Sequence, residues 1–392
     1  MNLRSMFRFV LLLTLCCGSG ASQMPAGGKY LVYVGTYTNH GGKGIYSYRF
    51  DAATGVLTSL GLAAESDNPS FLAIDPTHRF VYAVNEVDQF RGEPAGSVSA
   101  FAIDRSTGKL RLLNQVSAHD PGPAYISMDR TGKYVLIANY SLGSVAVFSV
   151  LKDGALGEMS GFVRHKGSSV NKQRQEGPHA HAVAMSPDNR FALVADLGLD
   201  QLLVYPFDAN TGKLGKAHVT KIKPGSGPRH LVFSPNRKFL YLVSEMGSTV
   251  TAFSYRAADG RLTTLQTVST LPASFSGQST AAEIAIHPSG RFLYASNRGD
   301  DSIAVFALNP GSGRLAFLQR VSTQGKTPRN FALDPSGHWL LAANQDSDSV
   351  VSFRVDQETG ELTPVGKFAQ ISQPACVAFV PLNADAGVSG TN

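Results

Sequence analysis

Histidine, arginine and glutamate recur in this sequence at the ends of apolar runs. Pro178-His179-Ala180-His181, Pro228-Arg229-His230, Glu283 and Pro328-Arg329-Asn330 each sit at the start of one. Asn85-Glu86, Asn139, Asp196, Glu245, Asn297-Arg298 and Asn344 each close one. A guanidinium inside a protein needs an anionic partner. Arg229 and Arg298 therefore imply a carboxylate, for which Glu245 is the candidate, or a bound anion. Histidine beside them adds a group that titrates near neutrality. Together these residue types describe an anion pocket with an acid/base pair. Structural readings compete with it. Repeated Asn and Asp suit turn caps, because both hydrogen-bond their own backbone. His181 suits a satisfied core histidine, and Arg229 with Glu245 suits a structural ion pair. His179-x-His181 puts two imidazoles on one side of a strand, but without a third ligand close by it implies no metal. The sequence contains no G-x-S-x-G elbow, H-E-x-x-H, Walker A or EF-hand loop, and no cofactor is expected.

Residues scattered over 250 positions can meet only if the elements that carry them repeat. A phrase does repeat: an apolar strand, a Pro or Gly turn, then a strand opened by an aromatic. It reads AIDPTHRFVYAVN, SMDRTGKYVLIAN, AMSPDNRFALVAD, VFSPNRKFLYLVS, AIHPSGRFLYASN and ALDPSGHWLLAAN, with turn positions at 76, 130, 187, 235, 288 and 335. Two further strand signals follow each copy. One is of the SVAVF type, and the other is a hairpin marked by Gly55, Gly108, Gly154, Gly212, Gly260, Gly313 or Gly360, with Leu two residues on. Seven markers make seven units of four short strands, β-branched and aromatic with alternating patterning. Units of about 45–50 residues built from four strands predict a propeller. The chain starts at Tyr30 with a second strand and ends in ACVAFVP with a first strand. The expected fold is thus all-β, a seven-bladed β-propeller of four antiparallel strands per blade, closed by a blade shared between the two termini. In such a fold the start of strand one and the end of strand two face the same channel mouth, so the polar residues above should form one ring.

Composition agrees with this. The chain of 392 residues is 43% hydrophobic and 16% charged, which excludes a disordered polymer, and its 39 Gly and 20 Pro suit many turns. Arg4 and Arg8, an apolar stretch from Phe9 to Leu15 and the small residues Ser19-Gly20-Ala21 read as a secretory signal over 1–21. A linker over 22–29, the propeller over 30–381 and a tail over 382–392 complete the expected organisation. Cleavage removes both signal arginines, which lowers the formal charge of +6 by two. That surplus is too small to imply nucleic acid. Cys16 and Cys17 leave with the signal, so Cys376 has no internal disulfide partner. The protein is expected to be exported, periplasmic or extracellular, with membrane tethering through the N-terminus as a variant, and to be monomeric.

The sequence resembles the lactonase family of seven-bladed propellers, which includes the propeller-type bacterial 6-phosphogluconolactonase and the fungal carboxy-muconate cycloisomerase. The matching strings are VGTYT at Val34, GSSVNKQRQEGPHAH at Gly167, ADLGLDQLLVY at Ala195, GPRHLVFSPN at Gly227, ASNRGDDSIAVF at Ala295 and PRNFALDPSG at Pro328. The resemblance implies hydrolysis of a lactone. It implies catalytic roles for His181, Arg229, Glu245 and Arg298, and substrate contacts are expected from His179, His230, Arg329 and Asn344, which share the same mouth, and from Arg174. Arg174 and Gln175 belong to a long loop that would cover the pocket. Glu245 or His181 would take a proton from water, with His181 then protonating the leaving alkoxide. Arg229 and Arg298 would hold the oxyanion or an anionic substituent. The expected partner is a small lactone or anionic sugar acid. A leader is a departure from the family's cytoplasmic pathway and leaves the particular lactone open. Two other readings use the same scaffold: a muconate-type cycloisomerase, and a non-catalytic binding propeller outside the cytoplasm.

Overall fold

Short alternating runs of Val, Ile, Tyr and Phe become strands that are buried on both faces when the sheets stack. The computed structural model describes residues 28–382. The signal over 1–21, most of the linker and nearly all of the tail lie outside them. Seven antiparallel sheets make up the described chain. Blade 1 pairs the C-terminal strand Pro374–Pro381 with Lys29–Thr36, Gly44–Asp51 and Val56–Glu65, so the last strand is the innermost strand of the first blade. Blades 2 to 7 follow in order over 71–117, 123–164, 180–221, 228–269, 280–322 and 328–370. Tyr33↔Ala378 and its neighbours in register close the ring by joining the two ends of the described chain in one blade. The outermost strands run longer than the sequence pattern suggests, up to ten residues in Val56–Glu65, because register shifts let them curve. Blade 4 departs further: its outer strand is split into Lys213–Leu214 and His218–Lys221.

The hydrophobic core is seven slabs, one between each pair of neighbouring blades. Tyr30, Val32 and Phe50 of blade 1 pack on Trp339, Leu341 and Val350 of blade 7. Equivalent clusters fill the other six junctions. The seven marker glycines serve these junctions. All have φ between +68° and +88°, the left-handed turn that favours glycine. Six of them also abut the aromatic that opens strand two of the preceding blade. A Cβ on Gly313 would lie 2.4 Å from the Phe239 ring, and one on Gly360 2.4 Å from Phe292. Hydroxyls then latch the blades, as in Tyr241 Oη to Gly313 O at 2.9 Å and Tyr294 Oη to Gly360 O at 2.9 Å.

At the channel, the inner strands share an irregularity. Pro123, Pro228 and Pro328 pair with Asn139, Ser244 and Asn344, but the next paired residues are Tyr125, His230 and Asn330, one residue further along than the partner strand advances. The extra residues are Ala124, Arg229 and Arg329. His181 is the extra residue in blade 4 and Ala375 in blade 1. A bulge leaves its extra residue outside the ladder and turns it toward the mouth.

The marker glycines make a testable claim. Gly313→Ala combines a left-handed non-glycine residue (about 1–2 kcal/mol) with overpacking against Phe239 (about 1–3 kcal/mol). The variant should lose about 2–5 kcal/mol in urea unfolding, while Gly366→Ala, where nothing lies within 4 Å of the added atom, should lose only the backbone share.

Candidate active site

Two repeated positions build the site. The first is the bulge position of strand one. The second is the residue after the small polar residue that closes strand two. Those closing residues are Thr36, Asn85, Asn139, Asp196, Ser244, Asn297 and Asn344, all fully buried. Several pin the connector that enters their own blade: Asn139 Nδ2 donates to Ala118 O, Asn297 Nδ2 to Thr270 O and Asn344 Nδ2 to Thr323 O. Asp196 instead accepts from His179 N and meets His165 Nδ1 at 2.6 Å. Each next residue is thereby delivered to the mouth, and five of them are Tyr37, Glu86, Tyr140, Glu245 and Arg298.

Glu245 is the hub. Its Oε1 accepts from Arg174 Nη2 at 2.7 Å. Its Oε2 lies 2.8 Å from Arg298 Nη2 and 3.1 Å from Arg229 Nε, with His181 Nε2 at 4.0 Å. The residue is 5% exposed. Burial pushes its carboxyl up, but Arg298 and Arg229, with His181 and Arg174 behind them, outweigh burial and hold it far below the usual carboxylate range. Burial lowers His181, as do the Arg229 charge and His230, so the imidazole is neutral at physiological pH. Its Nδ1 is buried without a hydrogen-bond partner.

A cavity of about 180 Å³ opens here, lined by Glu86, Ala124, Tyr140, Arg174, His181, Glu245, Arg298 and Arg329. Arg329 lies 5.0 Å from the centre of the Tyr37 ring and 3.8 Å from Glu86 Oε2. Tyr37 Oη donates to the same Glu86 oxygen at 2.7 Å. Tyr140 carries His179 stacked at 4.6 Å and His181 edge-on at 5.6 Å. Arg174 reaches over the cavity from the loop after blade 3. That loop is tied down by fully buried Gln175, whose Nε2 donates to Leu197 O and Asp200 Oδ2. Asp200 also accepts from Ser169 Oγ, Gly225 N and Gly227 N, which couples this loop to the entry of blade 5. With Arg229 behind it, the cavity faces four guanidiniums against the carboxylates Glu86 and Glu245. The surplus is positive and suits an anion. Larger grooves lie elsewhere: one edged by His218, Ser254, Arg256 and Thr263 lies between outer strands, and one lined by Glu283 and Cys376 lies among the inner strands.

The structure thus brings His181, Glu245, Arg298, Arg329 and Arg174 to one cavity. Others lie outside that lining. Arg229 is 2% exposed and sits behind Glu245, with Nη1 given to Ala282 O at 2.5 Å, so it braces the site instead of lining it. His230 lies deeper in the channel, at 3.0 Å from Glu283 Oε1, under the stacked pair Phe71–Tyr125. His179 is held by Tyr140 O through Nδ1 at 2.9 Å and forms the second layer behind Tyr140. Asn344 belongs to the connector-pinning set and does not reach the cavity. Tyr37 and Tyr140 were not among the expected residues. The signal was available, since each occupies the same position after a strand-closing residue as Glu245 and Arg298.

The chain as a whole is similar to known proteins. The family model described as "Lactonase, 7-bladed beta-propeller" matches residues 31–379. The 6-phosphogluconolactonase of Bacillus subtilis is 38% identical over 352 residues, 90% of this chain and 99% of that protein. A 6-phosphogluconolactonase of Formosa agariphila is 36% identical over 306 residues, covering 76% of this chain and 85% of its own. Among solved structures, the periplasmic gluconolactonase of Pseudomonas aeruginosa superposes with a TM-score of 0.84 at 36% identity, over 90% of this chain and 99% of its own.

Below the cavity, Glu283 yields a prediction about stability. Its carboxylate accepts from Ile284 N at 2.8 Å and Asn330 Nδ2 at 2.5 Å. Burial nevertheless pushes it from the ordinary 4.5 up to about 7, against these bonds and Arg229. A raised folded value favours the protonated, folded form. The contribution is complete below the unfolded value and is lost as pH rises through the folded one. Relative to Glu283→Gln, the wild type should lose of order 3 kcal/mol between about pH 4.5 and 7.5. Urea midpoints of both proteins across that range measure it.

Proposed function

The chain belongs to the seven-bladed β-propeller lactonase family, and from that premise we propose that it hydrolyses a sugar lactone carrying an anionic group to the open sugar acid. The observation that carries this reading is the small cavity in which Arg174, Arg298 and Arg329 face a neutral histidine, with more positive than negative charge around it. A phosphate or carboxylate on the substrate matches that surplus through charge-assisted hydrogen bonds. A lactone carbonyl becomes an oxyanion when water adds, and donors aimed at that oxygen in a closed site stabilise it strongly. Arg298 and Arg329 are suited to this double task because both line the cavity.

The geometry bears on the division of labour between the two expected acid/base groups. Glu245 has both oxygens engaged by guanidiniums and a strongly depressed carboxyl, which makes it a poor proton acceptor and a good counter-ion. Its part is to hold the arginines. His181 lines the cavity as a neutral imidazole, so it can donate a hydrogen bond to the ring oxygen as that oxygen departs. A neutral histidine with a lowered pKa serves as an electrophile in this way. The Bacillus subtilis relative supports a phosphorylated substrate, and the Pseudomonas aeruginosa relative, named a gluconolactonase, supports an unphosphorylated one. The reading also includes export, which rests on the charged, apolar and small-residue pattern of residues 1–21. A ring that closes on itself has no need of a second subunit, so the active form is a monomer.

Two experiments test these points. Purified protein lacking the leader should open 6-phosphoglucono-δ-lactone well above the spontaneous rate and with a higher kcat/KM than the uncharged glucono-δ-lactone. Arg298→Gln should lower kcat/KM about 100- to 1,000-fold, and His181→Gln should lower kcat more than it raises KM. A folded wild type with no turnover on the whole panel contradicts the reading. For export, the protein recovered from the extracytoplasmic fraction should begin shortly after Ala21; recovery of the intact chain from the cytoplasm contradicts it.

A further inference from the structure

Hydrolysis of a lactone needs a group that accepts a proton from the attacking water. We infer that this group is Glu86, a role that rests on the lactonase reading above. Of the two carboxylates that line the cavity, Glu245 has both oxygens bonded to guanidiniums. Glu86 differs. Its Oε2 is fixed by the Tyr37 hydroxyl at 2.7 Å, and Arg329 approaches that same oxygen no closer than 3.8 Å. Its Oε1 receives no hydrogen bond from a described residue. The side chain is 24% exposed, against 7% for Glu245, so water can reach it.

The backbone beneath Glu86 is also held. Glu86 N donates to Asn68 O at 3.0 Å, and Asn68 Nδ2 donates back to Glu86 O at 3.2 Å. Asn68 itself has a φ of +41°, a left-handed conformation uncommon for a side-chain-bearing residue, and its Oδ1 is bonded by Thr38 N and Oγ1. Strain of this kind persists where the surroundings over-determine it. Here two strand ends and a connector agree on one place for Glu86, a side chain that lines the cavity with one oxygen oriented by Tyr37.

The step balances. One O–H bond of water breaks as its oxygen bonds to the carbonyl carbon, and the proton goes to Glu86 Oε1. The carbonyl π pair moves to the oxygen held by Arg298 and Arg329. When the pair returns, the ring C–O bond breaks, and the departing oxygen, hydrogen-bonded by His181, takes the proton back from Glu86. Water and lactone are the sole reactants, and Glu86 ends ionised as it began.

Glu86→Gln keeps an acceptor for Tyr37 and removes the base. Its kcat should fall about 100- to 10,000-fold with little change in KM, while the melting temperature and the affinity for 6-phosphogluconate stay near those of the wild type. Glu86→Ala should regain activity in proportion to added formate, which no structural role of Glu86 predicts. An active wild type with Glu86→Gln within threefold of it in kcat overturns the role of Glu86 and leaves the lactonase reading intact. A wild type inactive on every lactone overturns both.

Discussion

The carboxylate of Glu245 is the interaction on which the rest of the site depends. Three guanidiniums, from blades 5 and 6 and from the loop after blade 3, converge on its two oxygens. Without it, Arg174, Arg229, Arg298 and Arg329 would be like charges crowded around one small cavity. Buried charges are tolerated only when paired and hydrogen-bonded, and removing one partner from such a pair commonly costs about 3–5 kcal/mol. The arrangement explains why Glu245 remains ionised although it is almost fully buried. It also explains why the cavity keeps positive charge to spare: one carboxylate neutralises one arginine and orients three.

A hub of this kind needs a frame stiff enough to hold charged groups from distant parts of the chain within hydrogen-bonding distance. The propeller supplies it by repetition. Seven interblade slabs lock neighbouring sheets together, and the C-terminal strand inside blade 1 closes the ring. Within the frame, two small devices aim the side chains. The bulge on the inner strand turns His181, Arg229 and Arg329 out of the ladder. The buried polar residue at the end of strand two ties down the connector, so the residue after it projects at the mouth. The same two positions carry Ala124, Tyr140 or Glu86 in other blades, and chemistry is distributed around one mouth by changing those residues alone.

Much of this was legible in the sequence. The repeated phrase, the marker glycines and the split first unit specify seven blades and their closure, because each reflects a local requirement: a left-handed turn, an aromatic at a junction, a strand lacking its partners. The rule that starts of strand one and ends of strand two share a face correctly gathered His181, Glu245, Arg298 and Arg329. Depth was not legible. Arg229 and His230 are adjacent and equally polar in the sequence, yet the bulge sets Arg229 behind Glu245 and directs His230 down the channel to Glu283. Asn344 looks like Asn297, and both turn out to pin connectors. Tyr37 and Tyr140 escaped because an aromatic at a strand end reads as core, although their positions match those of Glu245 and Arg298.

The central claim is that arginines gathered by Glu245 form the seat of the substrate's anionic group. The most direct measurement is a crystal structure of the protein soaked with 6-phosphogluconate. The account predicts the phosphate or carboxylate within hydrogen-bonding distance of Arg298 and Arg329, with Arg174 closing over it and the Glu245 contacts retained. Binding elsewhere on the propeller, or in this cavity with both anionic groups turned away from the guanidiniums, would contradict it.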